Sequence, residues 1–200
     1  MKILIINAGG NTLSLKNILF HCGFEAKIYE DKDILNDFDL VFLPGIGSFD
    51  KVIENLKKIN LIEQLKNLSN LDNTYLIGIC VGMQILFDNS EEGKLHGLGL
   101  LPGNVKKFLS TDEQAGLHMG WNEITTKKFK DFDKKKFYFA HNYYVECSNK
   151  YIISTSNHLI EFPTIVQNKN IIGIQFHPEK SHKNGINLIN FLLNNIVNVN

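Results

Sequence analysis

One cysteine stands in a frame that suits a nucleophile. The stretch YLIGICVGMQILF, residues 75–87, is apolar except for the thiol of Cys80 and the amide of Gln84. Glycines two residues before and after Cys80 permit a tight strand-to-helix turn, which would present the thiol at the carboxyl edge of a parallel sheet. A helix N-terminus favours thiolate, and its backbone N–H groups can face a developing oxyanion. The alternative is an ordinary buried cysteine, a common fate of free thiols.

A histidine and a carboxylate follow another apolar run, almost a hundred residues later. In GIQFHPEKS, residues 173–181, Pro178 ends a strand and leaves His177 and Glu179 two residues apart, able to point the same way. An imidazole can accept a thiol proton and return one to a leaving amine, and a carboxylate holds its tautomer. The sequence therefore predicts a triad of Cys80, His177 and Glu179. Taken alone, His-x-Glu is also typical of a solvated surface pair.

A Pro-Gly-Ile-Gly turn closes a third apolar run, in FLPGIGSFD, residues 42–50. Gly45 and Gly47 permit the backbone to come close to a ligand with its amide N–H groups exposed. A plain connecting turn is the alternative, because glycine and proline mark turns in every fold.

The elements that must position these residues alternate between strand and helix in the first half of the chain. Apolar runs predict strands over 2–7, 25–29, 39–43 and 74–79, and apolar periodicity predicts helices over 12–22, 49–68 with a break near Asn60, and 81–89. The second half carries short β-rich runs, and a last helix is predicted over 185–197. This pattern predicts an α/β fold of one domain over residues 1–200, with a central, mostly parallel sheet, helices on both faces and added antiparallel strands.

Composition excludes several classes of function. The 200 residues carry 21 basic and 21 acidic side chains, so a formal net charge of zero gives no electrostatic reason to expect nucleic acid or an anionic membrane as a partner. The three cysteines are widely spaced and match no zinc or redox motif, which favours a reducing compartment. No signal peptide is visible, and no apolar stretch approaches the ~18 residues of a membrane span. We expect a soluble cytoplasmic protein with no metal and no cofactor.

Several motifs together carry a resemblance to a known family. PGIGSF, GICVGMQ and QFHPEKS, in this order, resemble the motifs of class I (triad) glutamine amidotransferases, which have a flavodoxin-like sheet. HMGWN (118–122), YFAHNYY (138–144) and HGLGLLPGNVKKF (96–108) narrow the resemblance to the glutaminase subunits of imidazole glycerol phosphate synthase. The likeness covers nearly the whole chain.

The resemblance implies a reaction and a set of substrate contacts. Cys80 would attack the side-chain amide of L-glutamine, and a glutamyl thioester would be hydrolysed to glutamate after ammonia is released. The amides of Val81 and of the 45–47 loop would serve the oxyanion once that loop rearranges. The implied substrate-binding residues are Gly45, Gly47, Val81, Gln84, Glu92, Asn142 and Tyr143. Simpler roles stay open: Gln84 on a helix surface, Glu92 as a solvated loop acid, and Tyr143 packing an edge strand.

The resemblance also implies a partner. Relatives dock on a (β/α)₈ cyclase subunit as a heterodimer, and ammonia travels through that barrel to a second active site, which makes imidazole glycerol phosphate and AICAR in histidine biosynthesis. The implied docking face consists of Asn11, Trp121, Asn122 and Lys180. Trp121 is the only tryptophan, and a partly buried core aromatic is an equal alternative for it.

Three departures from the family pattern keep further functions open. The stretch NAGGNTLSL lacks the usual acidic and aromatic start, Leu117 replaces a proline, and HNYY replaces a commoner His-Ser/Thr-Tyr. None of them touches the triad. They leave room for a paralogue that feeds ammonia to a different barrel, such as one that amidates a sugar precursor. A cysteine peptidase-like relative and a non-catalytic binding protein with the same fold are less favoured, because the triad residues and the glycine turn are all present.

Overall fold

A seven-stranded sheet forms the centre of the computed structural model, which describes residues 1–71, 73–112 and 115–196. The strands in chain order are β1 (Ile3–Ile5), β2 (Ala26–Ile28), β3 (Leu40–Gly45), β4 (Tyr75–Cys80), β5 (Asn89–Ser90), β6 (Gly103–Lys107), β7 (His118–Glu123), β8 (Lys136–His141), β9 (Tyr143–Cys147), β10 (Ile152–His158), β11 (Ile160–Asn168) and β12 (Ile171–Ile174). The helices are α1 (Thr12–His21), α2 (Phe49–Lys58), α3 (Ile62–Asn67), α4 (Val81–Gln84) and α5 (His182–Ile196).

The central sheet has the strand order β10-β11-β12-β4-β3-β1-β2. The strands from β12 to β2 pair in parallel, whereas β11 and β10 join as an antiparallel extension. Two smaller sheets, β5-β6-β9 and β7-β8, come mainly from the β-rich second half, with the short β5 added from just before it. The predicted α/β class, with a mostly parallel sheet and added antiparallel strands, is confirmed.

Helices cover the two faces of the sheet because its crossovers run in opposite directions. The connection from β1 to β2 moves toward one edge and that from β3 to β4 toward the other, so right-handed crossovers put their helices on opposite faces. The contacts agree, since α1 packs against α5 while α2 packs against α3 and α4. Strands β1 and β3 are consequently buried along their whole length, as their unbroken apolar sequence predicts.

Two helices differ from their sequence predictions. The helix predicted over 81–89 ends at Gln84, because the next carbonyls bond to a returning loop instead of continuing the helix: Leu98 N–H donates to Ile85 O (2.7 Å) and Leu100 N–H to Leu86 O (2.8 Å). The last helix begins at His182, three residues before its predicted start, and Val197 lies outside the described residues. The break near Asn60 is confirmed, with φ +54° at that residue.

Within the described ranges, no helix is both long and apolar enough to cross a membrane.

Candidate active site

Cys80 lies on a strained elbow at the carboxyl end of β4. It is the last residue of the strand, and α4 begins at the next one, with φ +56° and ψ −112° at Cys80, a conformation that side-chain-bearing residues seldom adopt. A Cβ on Gly82 would overlap the carbonyl oxygen of Leu43, and a Cβ on Gly78 would overlap the carbonyl of Gly82. Gly82 therefore lets the start of α4 pack directly on the backbone of β3, and Gly78 lets it pack directly on β4.

We expect Gly82→Ala to lower the free energy of unfolding by at least about 3 kcal/mol, because a methyl group cannot fit against rigid backbone. Urea denaturation followed by circular dichroism measures the loss. Gly23→Ala is the matched control, since a Cβ there meets open space and only its φ of +83° is unfavourable, at a cost of about 1 kcal/mol. Equal losses in the two variants would contradict the close packing.

The strand register brings a histidine to this elbow. β12 pairs in parallel with β4, with Ile174 opposite Ile79, so the chain beyond both strands leaves the sheet at the same edge. His177 is 4% exposed, and its side chain lies close enough to Cys80 for the sulfur to shift the pKa of the imidazole. On the other side of the ring, Nδ1 lies 2.8 Å from Oε1 of the buried carboxylate of Glu179. The three residues of the predicted triad are thus adjacent.

The ionisation of His177 is set by these neighbours. Burial lowers its pKa, but the Cys80 sulfur and the Glu179 carboxylate outweigh burial and raise the pKa to about 10. These two neighbours favour the protonated form of the imidazole. A positive charge at this position stabilises a negative charge on the sulfur, which is the reactive form of a cysteine.

Two buried polar residues support the triad, and sequence reasoning did not single them out. The Ser181 hydroxyl donates to the carbonyl of His177 (2.6 Å) and accepts from the N–H of Tyr138 (3.0 Å), which ties the turn after β12 to β8. Gln175 is fully buried, with its Nε2 3.9 Å from the Cys80 sulfur. The one signal for Gln175 was a lone amide within the apolar run IIGIQF.

A small pocket opens beside the Cys80 sulfur. Its volume of about 140 Å³ is below the roughly 300 Å³ of pockets for drug-sized ligands, which suits a molecule of amino-acid size. The predicted residues that line it are Gly47, Cys80, Val81, Gln84, Glu92, Asn142 and Tyr143. Leu117, Met119, Ala140 and His141 complete the wall without having been predicted. Gly45 is outside the lining and pairs with Cys80 in the β3–β4 ladder.

Hydrogen bonds within the protein determine what two side chains of the pocket, Gln84 and Glu92, can offer a ligand. Gln84 is 2% exposed and so is not a helix surface residue; its Nε2 donates to the carbonyl of Tyr143 (3.0 Å) and to Oε1 of Gln175 (3.1 Å). Both amide hydrogens are used, so Gln84 can offer a ligand only its Oε1 as an acceptor. Oε2 of the half-buried Glu92 accepts the N–H of Phe49 (2.7 Å), while burial raises the pKa of Glu92.

The implied docking residues differ in their surroundings. Trp121 is 46% exposed, and its ring stacks on His182 at 5.2 Å. The ammonium of the exposed Lys180 lies 5.7 Å from the centre of the Tyr138 ring, which also contacts Trp121. Asn11 caps α1 by accepting the N–H of Ser14.

Asn122 differs from these three because its side chain points inward. Its Nδ2 is 2.8 Å from the carbonyl of Asn157 and 3.2 Å from Nε2 of His118. Asn122 is half-buried, so part of it also reaches the surface.

The elbow thiol, the adjacent His–Glu pair and the mixed sheet define a class of protein that comparison identifies. The chain belongs to the glutamine amidotransferase class I family, whose model matches residues 4–194. Among solved structures, PurLQS from Thermotoga maritima shares the fold, with a TM-score of 0.76 and 18% identity over 98% of both chains.

Within this family the chain is similar to a particular group. It is 41% identical to imidazole glycerol phosphate synthase subunit HisH 2 of Methanococcus maripaludis, over 95% of this chain and 98% of the relative. It is 39% identical to subunit HisH of Leptospira borgpetersenii, over 90% of this chain and 93% of the relative. The resemblance stated from the motifs is confirmed, and family membership favours an enzyme over a non-catalytic binding protein.

Proposed function

We propose that this chain is the glutaminase subunit of an imidazole glycerol phosphate synthase and hydrolyses L-glutamine to glutamate and ammonia at Cys80. The observation that carries the proposal is the His177–Glu179 hydrogen bond beside the Cys80 sulfur, at the wall of a pocket of amino-acid size. The family match and the names of relatives about 40% identical support the choice of reaction.

The first half of the reaction forms a thioester. The Cys80 thiolate attacks the carboxamide carbon of glutamine, while His177 holds the proton that the thiol has lost. Backbone N–H groups of Val81 and, once the loop has rearranged, of residues 45–47 stabilise the oxyanion that forms on the amide oxygen. The C–N bond then breaks, the His177 imidazolium protonates the leaving nitrogen, and ammonia departs from the γ-glutamyl thioester.

In the second half of the reaction, water hydrolyses the thioester. The neutral His177 takes a proton from water as the water oxygen attacks the thioester carbonyl. The C–S bond breaks, glutamate leaves, and the sulfur is again a thiolate beside an imidazolium. Glu179 holds Nδ1 throughout, which keeps Nε2 available for the reacting atoms.

The acceptors of the pocket suit the charged end of L-glutamine. The free Oε1 of Gln84 and the carboxylate of Glu92 can accept hydrogen bonds from its α-ammonium group. The backbone at Asn142 and Tyr143, which also line the pocket, is left to bind the α-carboxylate. This orientation extends the ligand's side-chain amide toward Cys80.

The ammonia goes to a partner in this proposal. Ammonia released to water would be protonated and lose its nucleophilicity, so a direct passage into a (β/α)₈ cyclase subunit preserves it. The docking face of Asn11, Trp121, Asn122 and Lys180 binds that subunit as a cytoplasmic heterodimer. An exposed tryptophan stacked on a histidine, with a lysine nearby, supports this use of the surface.

Addition of the cyclase subunit with its bound ligand is the test of this function. We expect the isolated chain to release ammonia from glutamine slowly, and the partner to raise the rate by at least about fivefold, a usual size for coupling between sites. A coupled glutamate dehydrogenase assay measures the rate. Activation by a different barrel synthase alone would support the paralogue, and peptide cleavage without glutaminase activity would contradict the proposal.

The docking face has a separate test in Trp121→Ala. We expect the variant to bind the cyclase subunit at least about tenfold more weakly, because a large aromatic anchor is lost at an interface. Its melting temperature should change little, since the side chain is nearly half exposed. Leu109→Ala is the control: Leu109 is 79% exposed and lines a different cavity. A large fall in melting temperature with unchanged binding would show that Trp121 stabilises the fold and does not bind the partner.

A further inference from the structure

Two buried histidines outside the triad form a hydrogen-bonded pair that leads from the docking face to the glutamine pocket, whose wall includes His141. Nδ1 of His118 lies 3.0 Å from Nε2 of His141. Nε2 of His118 lies 3.2 Å from the amide nitrogen of Asn122, and Nδ1 of His141 lies 2.7 Å from the carbonyl oxygen of Tyr143. The pair therefore has a partner at each end, and all four ring nitrogens are engaged.

The partners determine where the protons are. A carbonyl oxygen can only accept, so His141 carries its proton on Nδ1 and, when neutral, accepts at Nε2. His118 must then donate from Nδ1 and accept at Nε2. Asn122 donates to it, because the Oδ1 of Asn122 already accepts the N–H of Glu123 (2.8 Å). In the three hydrogen bonds from Asn122 to Tyr143, the donor thus always lies on the side of the docking face and the acceptor on the side of the pocket.

The surroundings keep both rings neutral. Burial lowers the pKa of His118 to about 4 and that of His141 to about 3. His118 stacks on Phe139 at 4.5 Å, and Phe162 packs against both histidines at 5.5 and 5.4 Å. In the part of the chain that the structure describes, no three His, Cys, Asp or Glu side chains are grouped as a metal site requires.

The inner end of this hydrogen-bonded series, at His141, is connected to the residues that line the glutamine pocket. The carbonyl of Tyr143 that accepts from His141 also accepts the amide of Gln84. Gln84 lines the pocket and donates its other hydrogen to Gln175, whose Nε2 approaches the Cys80 sulfur. A shift of the Tyr143 carbonyl would consequently move the side chain that offers its oxygen to the ligand.

We propose that His118 and His141 are positioning residues, whose hydrogen bonds transmit the state of the docking face at Asn122 to the glutamine-binding side chain Gln84. The inference rests on the proposed function for the identity of the ligand and of the docking face. It adds a physical route between them, made of one amide and two imidazoles with a single donor direction. A partner that moves Asn122 would change glutamine affinity without touching the pocket.

The proton positions are tested first, by ¹⁵N NMR of the full chain with labelled histidine at pH 7. We expect both rings to be neutral with the proton on Nδ1, a tautomer that is less common in free histidine. A proton on Nε2 of either ring, or a charged ring at pH 7, would contradict the proposed direction of the hydrogen bonds and overturn the inference. This measurement needs neither activity nor a ligand.

The coupling is tested by calorimetric titration of L-glutamine into the full chain carrying Cys80→Ala, which prevents turnover. We expect His141→Leu to weaken binding about three- to tenfold, the size of one lost hydrogen bond. His141→Asn should recover most of that loss, because its amide can replace Nδ1 as the donor to Tyr143. Phe162→Leu, which alters the same aromatic cluster without removing a hydrogen bond, should leave binding nearly unchanged.

A double-mutant cycle then separates transmission from local damage. We expect Asn122→Ala to weaken glutamine binding about threefold when His141 is present, and to have no effect beside His141→Asn, which cannot reach His118. Equal effects in the two backgrounds, or no effect in either, would overturn the inference while leaving the glutaminase proposal intact. No glutamine binding by the Cys80→Ala parent would overturn both.

Discussion

Replacement of Cys80 by alanine is expected to lower ammonia release from L-glutamine by at least about 10⁴-fold in the proposed complex with a cyclase subunit. In the proposed reaction the sulfur forms the covalent intermediate, and removal of a nucleophile forfeits most of the catalysis that a triad provides. The elbow backbone should persist, because alanine keeps the Cβ that the strained conformation at residue 80 already accommodates. Glutamine and partner binding should therefore survive.

The other two cysteines are matched controls for this variant. Burial raises the pKa of Cys147 to about 11 and also raises the pKa of Cys22, so both remain protonated thiols at neutral pH. We expect Cys147→Ser and Cys22→Ser to retain activity, and iodoacetamide at pH 7 to modify Cys80 first. Retained turnover in Cys80→Ala would rule out the sulfur as the nucleophile.

Replacement of Glu179 by glutamine has the second-largest expected effect, a fall in kcat of about 10²- to 10⁴-fold. The amide nearly matches the carboxylate in size but carries no charge, so the support that Glu179 gives to the His177 imidazolium is lost. The pKa of His177 should fall, because the charge of Glu179 helps to raise it in the native protein. The imidazolium would then be lost at a lower pH than in the native chain.

Two measurements check this prediction. The rate of Cys80 alkylation at neutral pH should decrease, and the pH at which His177 loses its proton, followed by NMR, should move downward. Glu54→Gln, at an exposed position of α2, controls for the loss of one carboxylate and should change neither quantity. An unaltered pH profile with normal kcat in Glu179→Gln would exclude the carboxylate from the triad.

Much of the fold was predictable because local sequence carries local geometry. Unbroken apolar runs predicted the buried parallel strands β1, β3 and β4, and the break at Asn60 was visible as an interruption of helical periodicity. The helix after Cys80 was predicted too long, because its last apolar residues continue the helical pattern. Their carbonyls instead bond to residues 98–101, and no local pattern encodes that competition.

The sequence by itself determined the types of chemistry: a thiol between glycines, a His-x-Glu at the end of an apolar run, and motifs that identified the family. The tertiary structure decided which groups meet. The pairing of β12 with β4 brings His177 to Cys80, and the approach of β7 and β8 joins His118 and His141 in a chain that ends at the pocket. The physical reason is that periodicity describes a segment and its exposed side, whereas strand order and register depend on contacts between segments distant in the chain.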